Sequence, residues 1–450
     1  MTNLLAARSL MAISLGFHIV FAAVGIAMPL LMVIAEGRWL RTRDAVCLEL
    51  TRRWARGTAI MFAVGAVSGT VLSFELGLLW PFFMAYAGPI VGMPFSLEGF
   101  AFFLEAIALG VYLYGWNRVP PFAHWISGVV VAVSGAISGV FVVTANAWMN
   151  SPAGFRIVDG RPVDIDPVAA MLNPAALSQT LHMTIAAYLA VGFAAAAIHA
   201  YMLLREPGNL FHRRAFSIAF SMAAAAAVLQ PLSGDLSAKH LAHYQPVKLA
   251  AMEGQFETQR GAPLRIGGWP DEKAGVTRWA IEIPGGLSFL AFSDPRAEVT
   301  GLKSVPREDR PPVAVTHLSF QIMVACGVAM LAVALMGAFL AWRRRRLPLD
   351  PGFLRLVVLC GPLGFLAIET GWTVTEVGRQ PWVIYGVMRT AEAVTPMPWL
   401  AAPLIAISML YLLLGTMVLF LLRRQVFESP RVPALVPGSI PGGEDGRASA

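Results

Sequence analysis

The sequence predicts an all-α fold, a polytopic membrane helix bundle of about nine transmembrane helices with a partly folded loop on its outer face. Three observations predict it. Hydrophobic residues make up 57% of the 450 positions and charged residues 14%, whereas soluble domains carry about 25% charged residues; mean hydropathy is +0.64. Apolar stretches able to cross a bilayer, about 20 residues each, centre on 10–35, 55–79, 94–116, 122–147, 181–204, 215–233, 316–342, 353–374 and 400–422. Arginines gather in short runs at alternate ends of these stretches. Nothing signals nucleic-acid binding, and Cys47, Cys326 and Cys360 stand at no disulfide or metal-ligand spacing.

The first stretch is too long for a signal-peptide core and no small-residue cleavage site follows, so it reads as a retained span carrying His18. Arg38, Arg41, Arg43, Arg52, Arg53 and Arg56 separate spans one and two, and Arg118 separates three and four. Arg205, Arg213 and Arg214 follow span five, Arg343 to Arg346 follow span seven, and Arg423 and Arg424 follow span nine. All fall on one side, which the positive-inside rule makes cytoplasmic, with the N-terminus outside and the C-terminus inside.

Span three carries Glu98 and Glu105 about two turns apart on one face, and span four carries Ser138 and Asn146 at similar spacing. Two carboxylates in file suggest a proton relay. The plainer reading is a buried ion pair, but no cation is available at mid-depth; Ser138 and Asn146 either extend the file or join helices. Glu75, near the outer end of span two, reads equally as interfacial.

Residues 234–315 form an outer connection rich in Gly, Pro and charge, too long for a structureless loop. Its TRWAIEIPGGLSFLAF, from Thr277, reads as short strands around a Pro-Gly-Gly turn. Its QPVKLAAMEGQFETQ, from Gln245, reads as a short amphipathic surface helix with Lys248 and Glu253. These two either bond the oxygens of a quinol headgroup, Glu253 taking a proton, or form a solvated salt bridge. The bundle is expected over 1–425 and a disordered cytoplasmic tail over 426–450.

Span eight ends in GWTVTEVGRQPW, from Gly371 to Trp382, which with Glu369 concentrates Glu369, Glu376 and Arg379. Ionisable groups at that depth are costly and point to function. The alternative is an interfacial anchor in which Trp372 and Trp382 sit at headgroup level while Arg379 snorkels. The expected topology brings His18, His182, Met323 and Glu376 near one membrane face. All three residue types can ligate haem iron: a His/Met pair gives a six-coordinate electron-transfer centre, and a single ligand leaves a position open. Taken alone, a membrane His more often bonds a neighbouring helix and a Met more often fills a core.

GWTVTEVGRQPW, LEGFAFFLEAIALGVYLYGW from Leu97, QPVKLAAMEG from Gln245, SFQIMVACG from Ser319 and NAWMNSP from Asn146 together resemble subunit I of cytochrome bd-type quinol oxidases, in the expected order from His18 to Trp382. The resemblance implies a terminal oxidase of the bacterial cytoplasmic (inner) membrane. It oxidises quinol on the outer side and reduces oxygen to water with protons from the cytoplasm. It implies that His182 and Met323 are axial ligands of a low-spin haem b, and that His18 and Glu376 are ligands of two high-spin haems, a haem b and a haem d or third haem b. Lys248 and Glu253 match quinol-binding residues, and Glu98, Glu105, Ser138 and Asn146 match proton-access positions. Trp372 matches an aromatic between haem sites, and Arg379 an arginine that offsets propionate charge. The implied partners are a second large membrane subunit and a small single-span subunit.

Two departures stand out. Gln321 occupies a position that is arginine in well-known members, and the outer segment is short, as in the cyanide-insensitive branch. Two other classes compete: a haem b electron-transfer subunit without oxygen chemistry, for which His182 and Met323 suffice, and a proton-coupled transporter. A transporter predicts inverted repeats and Gly/Pro-broken midplane helices; the sequence has no convincing repeat.

Overall fold

Apolar runs free of ladder-forming alternation fold as helices, and in the computed structural model, which describes residues 2–427, they dominate. The first four are α1 (Asn3–Thr42), α2 (Ala45–Leu79), α3 (Pro81–Tyr114) and α4 (Pro121–Asn150). The hairpin of β1 (Arg156–Val158) and β2 (Arg161–Val163) and the short α5 (Pro167–Met171) lead to α6 (Ala176–Arg205) and α7 (Leu210–Tyr244). After α8 (Pro246–Glu253), the connection holds β3 (Gln259–Arg260), β4 (Leu264–Ile266), β5 (Trp269–Asp271), β6 (Val276–Arg278), β7 (Ile281–Ile283), α9 (Gly286–Phe292) and β8 (Glu298–Val299). The chain ends with α10 (Val313–Arg344), α11 (Pro351–Cys360), α12 (Leu363–Val377), the hairpin β9 (Trp382–Ile384) and β10 (Met388–Arg389), α13 (Thr390–Ala393) and α14 (Ala401–Phe427).

Among the described residues, nine helical stretches are long and apolar enough to cross a membrane, with α11 and α12 together making one of them. Alternating directions put every arginine run at one end of the bundle and the 245–312 connection at the other. We call these the arginine end and the loop end. The expected tail lies outside the described residues from 428 onward.

Small residues decide which helices touch. Ala196 and Ala200 of α6 and Ala219, Ala223 and Ala227 of α7 share the main buried cluster. A Cβ on Gly192 would stand 2.9 Å from that of Ala223. Close backbone approach through small side chains is how helices associate in lipid, where apolar burial alone gives no preference. The break in the eighth span falls at Gly361–Pro362, and α12 starts so close to α6 that a Cβ on Gly364 would meet Ala190 Cα at 2.3 Å.

Three local expectations are corrected. The sixth span, α7, continues through Pro231 to Tyr244, so the long connection starts at Gln245 and not near 234; neighbouring helices re-satisfy the backbone that an intramembrane proline frees. In TRWAIEIPGGLSFLAF only Val276–Arg278 and Ile281–Ile283 are strands. Gly286–Phe292 is helical, burying Leu287, Ser288 and Ala291 on one face. The helix α8 is no surface helix: Lys248 through Glu253 are all buried, because the connection folds back over them, Leu302 and Val313 packing on Ala250 and Ala251.

Candidate functional site

At the loop end, the last turns of α4 and α12 meet α8 in one hydrogen-bonded chain. Asn146 Nδ2 donates to Glu376 Oε1 at 2.5 Å, and Arg379 Nη2 donates to Glu376 Oε2 at 2.5 Å. Asn150, one turn beyond Asn146, donates to Asn146 Oδ1 (3.0 Å) and in turn accepts Lys248 Nζ on its Oδ1 (3.0 Å). Lys248 also donates to Thr375 O (3.0 Å), and Gln245 Nε2 donates to Asn150 O. Asn146, Lys248, Glu376 and Arg379 are thus brought together. Asn150 and Gln245 are members that sequence reasoning missed, although both stand inside the motifs NAWMNSP and QPVKLAAMEG.

The electrostatics follow from burial. Lys248 is pushed down to about 7, first by desolvation and then by Arg379, with Glu376 opposing. Two basic groups share one carboxylate here, and Arg379, 2% exposed, leaves Nε and Nη1 without partners. Unpaired buried donors are costly, so the cluster favours a further anion.

Glu253 closes the other end of α8. Five positions turn it about 140° from Lys248 around the helix axis, and no hydrogen bond or ion pair joins the two among the described residues. Its Oε2 is buried without a partner. Burial raises its carboxyl to about 8, while Arg265 pulls the other way. The next residue, Gly254, caps the helix at φ +61°, where a Cβ would stand 2.5 Å from Thr277 Oγ1.

The other expected ligands stand on neighbouring helices. His18 Nδ1 lies 2.9 Å from Ser68 Oγ, and Ser68 Oγ donates to Val64 O at 3.0 Å. His182 repeats the arrangement, with Nδ1 3.0 Å from Ser233 Oγ and Gln230 Nε2 3.2 Å from both ring nitrogens. An imidazole anchored at one nitrogen is oriented to bind a metal with the other; at His182 the Gln230 amide also reaches that second nitrogen. Sequence reasoning missed Ser68, Ser233 and Gln230. Met323 reaches toward α12, its Sδ 2.9 Å from where a Cβ on Gly371 would sit. The helices of His182 and Met323, α6 and α10, both pack on α7 and α12. Trp372 Nε1, Glu369 Oε1 and Gln230 Oε1 are also buried without partners, and the other Glu369 oxygen lies 3.3 Å from a Cβ position on Gly16, two residues before His18. The four candidate ligands therefore stand among polar atoms that the chain does not satisfy. Among them, the free N–H donors of Arg379 and Trp372 suit the acceptor oxygens of a bound group such as a haem with its carboxylates.

The relay candidates lie along the facing helices α3 and α4. Ser138 Oγ donates to Glu98 Oε1 at 3.2 Å. Glu105 is buried against Gly135, where a Cβ would come within 3.1 Å of its carboxyl. Ser138 is eight residues from Asn146, about 12 Å along the helix. Toward the arginine end the file on α3 continues at the same spacing to Tyr112, whose hydroxyl donates to Glu36 Oε2 at 2.7 Å. His124 Nδ1 is 2.6 Å from Glu36 Oε1, and its Nε2 is 2.8 Å from Tyr112 O. Glu36 was not singled out from the sequence; an acid directly after the first apolar stretch was the available signal.

Comparison with known proteins agrees along nearly the whole length. The family model for cytochrome bd terminal oxidase subunit I matches residues 6–430. Cytochrome bd ubiquinol oxidase subunit 1 of Bacillus subtilis (strain 168) is 32% identical, covering 95% of this chain and 94% of its own. Cytochrome bd-II ubiquinol oxidase subunit 1 of Escherichia coli (strain K12) is 28% identical, covering 84% and 87%. The solved structure of bd oxidase from Geobacillus thermodenitrificans superposes with a TM-score of 0.89 at 39% identity, covering 95% of this chain and 99% of that one.

Proposed function

We propose a division of labour for this chain, which belongs to the cytochrome bd terminal oxidase subunit I family: quinol is oxidised at the loop end, on the outer side of the membrane, and oxygen is reduced with protons drawn from the cytoplasmic arginine end. As a family member it is a bacterial membrane subunit of a quinol:oxygen oxidoreductase, carries haem and works with a second subunit. That membership sets aside the transporter and the electron-transfer subunit without oxygen chemistry.

His182 and Met323 would hold a low-spin haem b, and His18 and Glu376 two high-spin haems, one a haem b and the other a haem d or third haem b. Bound haem supplies one-electron transfer and, where an axial position stays open, a place for oxygen. Ser68 and Ser233 orient the two imidazoles. Arg379 offers its unpaired N–H groups to carboxylates at the edge of such a group, and Trp372 would be the aromatic between the high-spin sites. Glu98, Glu105, Ser138 and Asn146 move protons along α3 and α4. The exposed apolar face of α3, with Phe100, Phe103 and Ile107 beside Glu98, suits cover by the second subunit, and a small single-span subunit completes the complex.

The observation that carries this reading is the unbroken chain from Lys248 through Asn150 and Asn146 to Glu376, which ties a buried amine suited to a substrate oxygen to a candidate iron ligand. Lys248 donates to the quinol headgroup, and Glu253, whose proton affinity lies near neutrality, takes a proton and passes it on. Replacing Glu253 by Ala should slow quinol oxidation about 10²–10⁴-fold with the haem spectrum intact. Unchanged turnover in the purified complex would reduce α8 to a structural element.

A further inference from the structure

The end of α8 is held by α10. His317 and Gln321, one turn apart on that helix, both reach the connection. His317, fully buried, sits with Nδ1 2.8 Å from Met252 O and Nε2 3.1 Å from Gly267 O. Gln321 Nε2 donates to Arg265 O at 3.0 Å, and its Oε1 accepts Gly267 N–H at 2.9 Å. Only a side chain with both a donor and an acceptor can hold a strand this way. An arginine at 321 would have no acceptor for Gly267, so the departure noted in the sequence has a local reason.

These contacts fix β4, and β4 presents Arg265. Its Nη1 donates to Gln255 Oε1 at 2.5 Å, and its Nε to Glu282 Oε1 on β7 at 2.9 Å. The last carbonyls of a helix lack intrahelical donors and carry partial negative charge. Here Met252 O faces His317, Gly254 O accepts Thr277 Oγ1 at 2.8 Å, and Arg265 Nη1 lies 3.5 Å from the same Gly254 O. Glu253 lies between those two residues.

We propose that His317, Gln321 and Arg265 are positioning residues for quinol oxidation, with α10 clamping β4 so that the Arg265 guanidinium, 3.5 Å from Gly254 O, stays beside the end of α8 that carries Glu253. The inference rests on the reading of Glu253 as the proton acceptor. Other ionisable groups nearby are otherwise engaged or not bonded to Glu253. Lys248, on the same helix, is bound to Asn150. On α7, Asp235 and Lys239 pair with each other, His240 bonds Ser151, and His243 packs on Phe292. Lys303, past the helix end, pairs with Glu257.

The test is quinol-dependent oxygen uptake against pH in the purified complex, with haem content and spectra recorded. The positive charge of Arg265 lowers the proton affinity of Glu253, and the working base is the ionised form, present above the carboxyl's own titration. Arg265→Gln should therefore move the rising limb of the profile alkaline, by about one pH unit, and Arg265→Lys should restore it. Gln321→Leu should move it the same way by less, with haem content unchanged. Wild-type profiles in Arg265→Gln and Gln321→Leu would overturn the clamp, as would a Gln321→Leu effect confined to the low-spin signal of Met323, two residues on. Should Gln321→Leu lose haem, Arg265→Gln decides alone. If Glu253→Ala itself leaves quinol oxidation unchanged, the quinol-site reading fails and the clamp with it; if Glu253→Ala slows it while Arg265→Gln does nothing, only the clamp fails.

Discussion

The two ends of the bundle bury acids in opposite ways. At the arginine end Glu36 is fully buried, and both its oxygens are held by the chain, one by Tyr112 and one by His124, whose second nitrogen is also bonded. At the loop end Glu253 keeps an unpartnered oxygen, Arg379 two unpartnered nitrogens and Trp372 an unpartnered N–H. A closed cluster ties α1, α3 and α4 and asks for nothing more. An open one costs stability unless something outside the chain completes it. Unmet hydrogen-bonding capacity in the cluster as a whole, more than the presence of an acid in the membrane, marks the loop end: Glu376 has both oxygens bonded, but its partner Arg379 keeps two free nitrogens.

The largest test of that contrast is Glu376→Ala. If the open cluster is completed by bound haem, this variant should lose or disorder one high-spin haem and abolish oxygen consumption while quinol still reduces the haem of His182 and Met323. Haem stoichiometry and oxygen uptake measure it; normal values for both would return the motif to an interfacial anchor. A smaller effect is expected from Asn150→Leu, which cuts the link between Lys248 and Asn146 without touching a candidate ligand. Displacement of the amine by about an ångström can cost about 10²-fold in turnover, and quinol oxidation kinetics at unchanged haem content would show it. Smallest in chemistry is Glu36→Ala. It should lower thermal stability by about 1–3 kcal/mol through the stranded Tyr112 and His124 and leave turnover of the folded complex alone; a loss of turnover at full stability would erase the distinction between the two ends.

Length and apolar content made the nine spans legible, since lipid demands them whatever the packing. The helix ends were less legible. Tyr244 is reached through a polar stretch that composition reads as loop, and the Gly361–Pro362 break hides inside an apolar run. The burial of α8 was not legible at all, because its cover, Leu302 and Val313, comes from about fifty residues further along. The sequence sorted Asn146, Lys248, Glu376 and Arg379 into separate tasks, and folding joins them in one bonded chain. Gln321 read as a missing charge; its two backbone partners, Arg265 and Gly267, are distant in sequence and no local pattern announces them.

The helices are also longer than a bilayer needs. At 32 residues α10 runs about 48 Å, against a hydrocarbon core of about 30 Å, and its first turns, with His317 and Gln321, are the ones that grip the connection. The overhang works as a rigid pedestal that lifts the loop-end cluster toward the aqueous boundary. A molecule designed to block this chain therefore has two approaches: along the bilayer with a greasy tail, or from the water with a polar, membrane-impermeant body aimed at the grip between α10 and β4.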